Sequence, residues 1–118
     1  MHVEAYREYC LAKVGVTESF PFGKLPTVLV FKVAGKMFTA ARIDPFESFS
    51  VKCNPDQIDE LRATYEEVNV QPYMHKRHWN NVRVDGTLSD EMLKSWIDLS
   101  YELVVQQLPK QQRQALAG

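Results

Sequence analysis

Two runs of strand-forming residues that only two residues separate constrain the fold of this chain more than any other feature. Residues 27–33 and 36–43 are rich in β-branched and aromatic side chains, and Ala34 and Gly35 join them. Such a short connection between two strand-forming runs is typical of a β-hairpin, in which the strands pair antiparallel. An antiparallel sheet is therefore the expected centre of the fold.

The residues of the turn predict which hairpin side chains share a face. Ala34 followed by Gly35 favours a type I turn with a β-bulge at Gly35, since a two-residue primed turn usually has Asn or Gly in place of Ala34. Lys32 would then lie opposite Lys36, and alternation would put both on one face with Arg42. The predicted face also holds Val28, Val30, Phe38 and Ala40, and the other face holds Leu29, Phe31, Met37 and Thr39.

Helical patterns and shorter strands surround the hairpin. Apolar residues three and four apart predict a helix over residues 2–13 that ends at Gly15, and a long helix that Thr87 or Ser89 caps and that ends at Gln107. Asn54-Pro55-Asp56-Gln57 predicts the start of another helix. Further strands are expected over residues 49–53 and 79–84, and a short helix over 110–117. Residues 18–23 are expected to form an edge strand or an extended entry segment, and residues 68–73 to be extended at most briefly because Pro72 interrupts them. This order predicts an α+β fold, a two-layer sandwich with helices packed on one face of an antiparallel sheet.

Length and composition predict one soluble domain over residues 1–118. Apolar residues make up 45% of the chain and charged residues 25%, as in ordinary globular proteins. No segment approaches the roughly 18 apolar residues that span a membrane, and the charged N-terminus differs from a signal peptide. We therefore expect a cytoplasmic monomer that does not bind membranes. Cys10 and Cys53 lack the spacing of a metal or redox motif, so both are expected to be free and buried.

The charges are segregated along the chain although the net charge is only −1. Residues 20–43 contain four basic residues and no acid, and residues 68–84 contain three basic residues and no acid. Residues 54–67 and 85–108 contain five acidic residues each, against Arg62 and Lys94 respectively. The basic stretches have strand patterns and the acidic ones helical patterns. The folded molecule is thus expected to have a basic sheet side and an acidic helix side.

The segment over residues 72–82 is the predicted binding site. It combines Tyr73 and Trp79 with two histidines, two cations and two amides, and it contains no acid. Rings can stack on bases and cations can bind phosphate or carboxylate. The alternative is that Trp79 packs as a core or sheet-corner residue, since large aromatic side chains in half-buried strands usually pack. The full set of candidate residues for a nucleic-acid site is Lys32, Lys36, Arg42, Lys76, Arg77, His78, Trp79, Asn80 and Arg83.

Several short motifs occur in a recognisable order along the chain. The motifs are Phe20-Pro21-Phe22-Gly23, Val33-Ala34-Gly35-Lys36-Met37-Phe38, Lys52-Cys53-Asn54-Pro55-Asp56, Pro72-Tyr73-Met74-His75-Lys76-Arg77-His78-Trp79-Asn80, Asp85-Gly86, and Ser100-Tyr101 before Leu108-Pro109-Lys110. This ordered set resembles the MmcQ/YjbR family of small bacterial proteins. The resemblance implies a CyaY-like (frataxin-like) α+β fold and DNA binding, and it implies no catalytic residues.

Two non-enzymatic functions fit these residues. The first is nucleic-acid binding of low sequence specificity, because no helix has the basic face of a recognition helix. The second is a small binding or adaptor domain for an anionic metabolite or an acidic protein segment. An enzyme is not expected, since Ser100 and Tyr101 have no histidine base in register. No metal or cofactor is expected either, because Cys53, Met74, His75 and His78 do not form a ligand motif.

Overall fold

The computed structural model describes residues 1–117, which form four helices and a six-stranded antiparallel sheet. The helices are α1 (Val3–Leu11), α2 (Ile58–Thr64), α3 (Asp90–Gln106) and α4 (Lys110–Ala117). The strands are β1 (Val16–Ser19), β2 (Val28–Val33), β3 (Lys36–Arg42), β4 (Ser48–Lys52), β5 (Val68–Val70) and β6 (Trp79–Arg83). Their order across the sheet is β1-β2-β3-β4-β6-β5. The predicted α+β class is confirmed.

Helices α1, α2 and α3 pack on the same face of the sheet. Tyr6 of α1 stacks on Phe49 of β4 and meets Phe31 of β2 edge-on, with ring centroids 5.4 Å apart in both pairs. Ile58 of α2 and Ile97 of α3 belong to the same buried cluster as these aromatic rings. One hydrophobic surface therefore buries the apolar stripes of all three helices, as predicted. We call the opposite surface of the sheet the open face.

The turn between β2 and β3 differs from the predicted one. Val33 pairs directly with Lys36, so the loop contains only Ala34 and Gly35. Both residues have positive φ, 49° for Ala34 and 77° for Gly35. These values are typical of a two-residue type I′ turn. The prediction of a bulged type I turn was wrong because it assumed that Ala34 would avoid the left-handed region, which costs an alanine roughly 1–2 kcal/mol.

A β-bulge does occur in the hairpin, but it lies further along the strands. Phe31 pairs with Thr39 whereas Lys32 pairs with Met37, so Phe38 is the extra residue. Phe38 contacts Tyr101 of α3, with ring centroids 5.4 Å apart, and Thr39 Oγ1 lies 2.9 Å from Tyr6 Oη of α1. Two consecutive side chains therefore point at the helices. The predicted faces were wrong for Lys36, Met37 and Phe38, because the real turn and this bulge shift the register.

The remaining element boundaries agree with the predictions except at two places. Strand β1 ends at Ser19, so it lies earlier than the predicted edge strand and leaves out Phe20 and Pro21. Helix α2 begins at Ile58 and not at Asn54, whose Oδ1 accepts from the Asp56 backbone N in a local turn before the helix. Ser89 caps α3 as predicted, since its Oγ accepts from Met92 N. Over residues 1–117, no helix is both long and apolar enough to cross a membrane.

Candidate nucleic-acid interface

The predicted binding segment forms a loop, residues 71–78, between the neighbouring antiparallel strands β5 and β6. We call it the basic loop. Lys76 and Arg77 are exposed in it, and Tyr73 is an exposed large hydrophobic side chain there, with 91% of its surface accessible. Their exposure allows an aromatic ring and two cations to meet a ligand together.

Arg62 of α2 holds the end of the basic loop from the helix side of the sheet. Its Nη2 donates to the backbone oxygens of Lys76 and Trp79, the latter at 3.1 Å. Its Nε donates to Asn80 Oδ1 at 2.7 Å. Only 18% of the Arg62 side chain is accessible, so its guanidinium acts mainly inside the protein. The fork of donors that an arginine offers fits these three acceptors, which a lysine amine could not bridge together.

The start of the basic loop is held from the open face. Gln71 Nε2 donates to Ser50 Oγ of β4 at 2.9 Å. Within the loop, His75 Nδ1 accepts from the Arg77 backbone N at 3.2 Å, and the His75 and His78 rings lie 4.8 Å apart. The two ends are thus attached to opposite faces of the sheet, whereas the tip at Tyr73 projects outward.

Trp79 lies on the open face at the start of β6. Its neighbour Asn80 points to the helices, so alternation turns Trp79 to the other side, where it pairs with Lys52. Trp79 is half-buried, and within residues 1–117 it neither joins the hydrophobic core nor pairs with another aromatic ring. Trp79 is therefore not a core residue, but its half-buried position at the first residue of β6 fits the alternative that it packs at the corner of the sheet. Stacking on a ligand stays a prediction.

The open face has basic and polar residues at its margins, whereas its middle is covered, since Val30, Ala40 and Ser50 are at most 4% exposed. Lys32 and Arg42 share it, as predicted, because Val30 pairs with Ala40 and Val28 with Arg42. No acid occurs at any strand position of the open face in the described part of the chain, and there neither Lys32, Arg42, Lys76 nor Arg77 forms an ion pair. The strand positions of this face are Thr17, Ser19, Val28, Val30, Lys32, Met37, Ala40, Arg42, Ser48, Ser50, Lys52, Asn69, Trp79, Asn81 and Arg83.

Arg83 is less available to a ligand than the other cations. Its Nε donates to Asp85 Oδ2 at 2.6 Å. A hydrogen bond from Thr87 and this contact with Arg83 lower the pKa of Asp85 to about 2. Asp85 is therefore ionised at neutral pH and balances the charge of Arg83. Lys52 is also engaged, because its Nζ donates to Gln107 Oε1 at 2.8 Å.

Two predicted site residues do not reach the candidate interface. Asn80 is fully buried, and its amide bonds to Arg62 and to Cys53 Sγ, so its assignment to a binding surface was wrong. Lys36 pairs with Val33 and points to the helix side, so it does not extend the row of Lys32 and Arg42. His78 is half-buried beside His75, and whether it contacts a ligand stays a prediction.

Arg62 and Asn81 were missed by the sequence analysis. Arg62 is the one cation in the acidic segment 54–67, which was a signal that it has a specific partner. The position of Asn81 on the open face follows from strand alternation once Trp79 is assigned to that face. It is half-buried, and among the described residues its amide has no hydrogen-bonding partner.

Other reactive side chains have structural roles. Ser100 Oγ donates to Phe38 O and accepts from Lys52 N, and Tyr101 Oη donates to Val14 O at 2.6 Å. Burial raises the pKa of the Cys10 thiol to about 12 and raises that of Cys53 as well, and both are free. Within residues 1–117, no three His, Cys, Asp or Glu side chains converge as a metal site would require.

A surface groove of about 250 Å³ lies on the helix side, away from the basic loop. Gln57, Glu60, Leu61, Thr64 and Tyr65 line it. Glu60 contributes a negative charge and no cation faces it from this lining. The groove is therefore unsuited to the anionic metabolite considered as an alternative ligand.

Comparison with known proteins points to one family. A family model described as YjbR matches residues 11–103. Over 117 residues the chain is 28% identical to an Escherichia coli K12 protein described as uncharacterized protein YjbR, with 98% of each chain covered. It is 32% identical over 94 residues to uncharacterized protein YbdF of Escherichia coli O157:H7, covering 77% of this chain and 74% of that protein.

Two solved structures share the fold. The crystal structure of Deinococcus radiodurans protein DR2400, with a DUF419 domain, has a TM-score of 0.89 at 31% identity and covers 98% of this chain and 88% of its own. A crystal structure of a Pseudomonas syringae protein has a TM-score of 0.74 at 22% identity, covering 87% of this chain and 98% of its own. The second likeness supports the fold alone.

Proposed function

The chain belongs to the YjbR family, and from that premise and the charge distribution of its sheet we propose that it binds nucleic acid with low sequence specificity. No catalytic step is part of this proposal. The binding surface comprises the basic loop and the adjoining open face, with Lys76, Arg77, Lys32 and Arg42 as phosphate contacts and Trp79 as the stacking ring.

The observation that carries the proposal is the position of Trp79. An indole ring off the core, next to an exposed basic loop and on a sheet face whose strand positions carry no acid, is suited to stack on a base while nearby cations attract phosphates. A surface of this kind gains affinity mainly from phosphate charge, and such affinity depends weakly on sequence.

The acidic residues on the helix side of the molecule also favour nucleic-acid binding on the open face. Helix α2 has Asp59 and Glu60 in its first turn, and α3 has Asp90 and Glu91 in its first turn. Phosphates would be repelled from both helix N-termini, so neither helix is suited to enter a DNA groove. Nucleic acid would therefore approach from the open face.

Titration with fluorescent single- and double-stranded oligonucleotides at low salt tests the proposal. We expect weak binding that is lost as salt rises, because each neutralised phosphate releases counterions. Replacing Lys76 and Arg77 together by Ala should lower the slope of log affinity against log salt by about 1.4–1.8, as expected for two phosphate contacts.

A matched control is the double replacement of Lys110 and Arg113 by Ala on α4. Both are exposed cations outside the candidate interface, so this variant should keep the salt slope of the wild-type protein. Equal effects of the two double replacements would contradict the proposed surface. If the wild-type protein binds no oligonucleotide at low salt, the alternative of an acidic protein segment or an anionic metabolite takes precedence.

Two further properties belong to the same proposal. We place the protein in the cytoplasm, where nucleic acid is accessible. We also propose that the two-layer arrangement is a variant of the CyaY-like (frataxin-like) fold, which superposition on a frataxin structure would test.

A further inference from the structure

We propose that the ligand of the open face is a single strand, and that Asn81 contacts its base edges. This inference rests on the proposed function and narrows it to one form of nucleic acid. Its basis is the row Trp79, Asn81 and Arg83, which are alternate residues of β6 and so share the open face.

The three side chains of this row supply three different contacts. The ring of Trp79 can stack on a base, and the Nη atoms of Arg83 can still donate to phosphate, although the ionised Asp85 bound to its Nε makes this contact weaker than one to an unpaired cation. The amide of Asn81 between them offers one donor and one acceptor, the pair that a base edge requires. Since Asn81 is half-buried without a partner among the described residues, its amide is available to a ligand.

The spacing of the row favours an unstacked strand. Alternate residues of a strand are about 6.8 Å apart, which is twice the rise of about 3.4 Å per nucleotide in each strand of a duplex. Every second base of a duplex would match this spacing too, but stacked bases have no face that is accessible to Trp79. A strand with its bases separated can meet ring, amide and guanidinium in turn.

Asn81 also lies in a row of small and uncharged residues that crosses the whole sheet. Asn81 pairs with Ser50 of β4 and with Asn69 of β5, and Ser50 pairs with Ala40 of β3. Ala40 and Ser50 are almost fully buried, so Asn81 is more accessible than the residues beside it on the β4 side. A ligand that contacts Asn81 therefore lies beside the Gln71 side chain, which crosses β6 to reach Ser50.

Adenine is expected to be preferred over the pyrimidines. It has an acceptor next to a donor on both its Watson–Crick and its Hoogsteen edge, and an Asn amide pairs with such an edge through two hydrogen bonds. Cytosine and thymine offer such a pair on one edge only. The preference should be modest because one amide determines it.

The test uses two oligonucleotides of about 12 nucleotides, a length that one small domain can cover. One alternates adenine with cytosine and the other alternates thymine with cytosine, so neither pairs with itself. A duplex of the same length is the third ligand. We expect the wild-type protein to bind both single strands about 10-fold tighter than the duplex, and the adenine strand about 5-fold tighter than the thymine strand.

Two variants locate the effect. Asn81→Ala should remove the difference between the two single strands while leaving the salt slope unchanged, whereas Asn81→Gln should retain the difference because it keeps the amide. A Trp96→Phe variant leaves Trp79 as the remaining tryptophan, and its fluorescence should be quenched by single strands only.

The outcomes separate this inference from the proposed function. Equal or tighter binding of the duplex, or a base preference that persists in Asn81→Ala, overturns the inference and leaves nucleic-acid binding in place. Absence of a base preference in the wild-type protein also overturns the role of Asn81. Absence of any binding overturns both the inference and the proposed function.

Discussion

Replacing Arg62 by Ala should destabilise the protein and loosen the basic loop. The change removes the donor to Asn80 Oδ1, and Asn80 is fully buried. A buried acceptor left unsatisfied costs about 1–3 kcal/mol, and each of the two lost bonds to backbone oxygens costs about 0.5–1.5 kcal/mol before water replaces part of it. We therefore expect the free energy of unfolding to fall by about 3 kcal/mol.

Urea unfolding followed by circular dichroism measures this loss, and the midpoint of thermal unfolding should fall by about 10 °C. Arg62→Lys keeps the charge but can reach only part of the acceptor set, so an intermediate loss is expected. Arg113→Ala on α4 is the matched control, because its side chain is exposed, and it should stay within about 0.5 kcal/mol of the wild-type protein.

Oligonucleotide binding by the Arg62→Ala variant distinguishes a loss of loop order from a loss of charge. Arg62 points inward, so Arg62→Ala should weaken oligonucleotide binding well below the unfolding temperature without changing the salt slope. If Arg62→Ala unfolds within about 1 kcal/mol of Arg113→Ala, or if its salt slope falls as in the double replacement of Lys76 and Arg77, the role assigned to Arg62 is refuted.

Three further predictions concern the turn, the paired arginine and the thiols. Ala34→Asn should raise the free energy of unfolding by about 1 kcal/mol in urea titrations, because Asn tolerates the left-handed backbone and Asn-Gly suits the type I′ turn; an unchanged midpoint would count against the turn. Asp85→Asn should tighten oligonucleotide binding by releasing Arg83. Because Thr87 and Arg83 lower the pKa of Asp85 from 3.8 to about 2, the Asp85 carboxylate stabilises the fold above pH 4 and loses this effect as pH falls towards 2. The thermal midpoints of variant and wild type should therefore converge near pH 2. Burial raises the pKa of Cys10 to about 12 and also raises that of Cys53, so a thiol reagent should label both only after denaturation, and rapid labelling of the native protein would contradict their burial.

The elements of this fold could be predicted from local signals because most of those signals agree with the tertiary structure. The apolar spacing of α3 and its cap at Ser89 are both present in the structure. The hairpin existed as predicted, but its turn type did not follow from the sequence. In the observed register Phe38 packs on Tyr101 and Thr39 contacts Tyr6, and these contacts offset the cost of the left-handed backbone at Ala34. Such long-range contacts are invisible in a short window of sequence.

The candidate site was predictable as a segment and less so residue by residue. Charge segregation located the basic loop and the sheet face, since the net charge of a segment does not depend on the exact strand register. The assignment of Asn80 failed because neighbouring residues of a strand point to opposite faces, and Trp79 and Asn80 were treated as one unit. The role of Arg62 depends on its hydrogen bonds to Lys76 and Asn80, which lie 14 and 18 residues away in the sequence. No spacing motif predicts such contacts.

The attachment of the basic loop at both ends has a consequence for how the family can diversify. The hydrogen bonds of Gln71 at one end and of Arg62 and the His75 backbone oxygen at the other leave the side chains of Pro72 and Tyr73 outside the structural network that supports the sheet. Lengthening such a tip costs little, about 0.6 kcal/mol for each doubling of a loop. Natural selection can therefore try new side chains or inserted residues around Tyr73 while the core stays intact. Related proteins could in this way acquire different ligands on one unchanged scaffold.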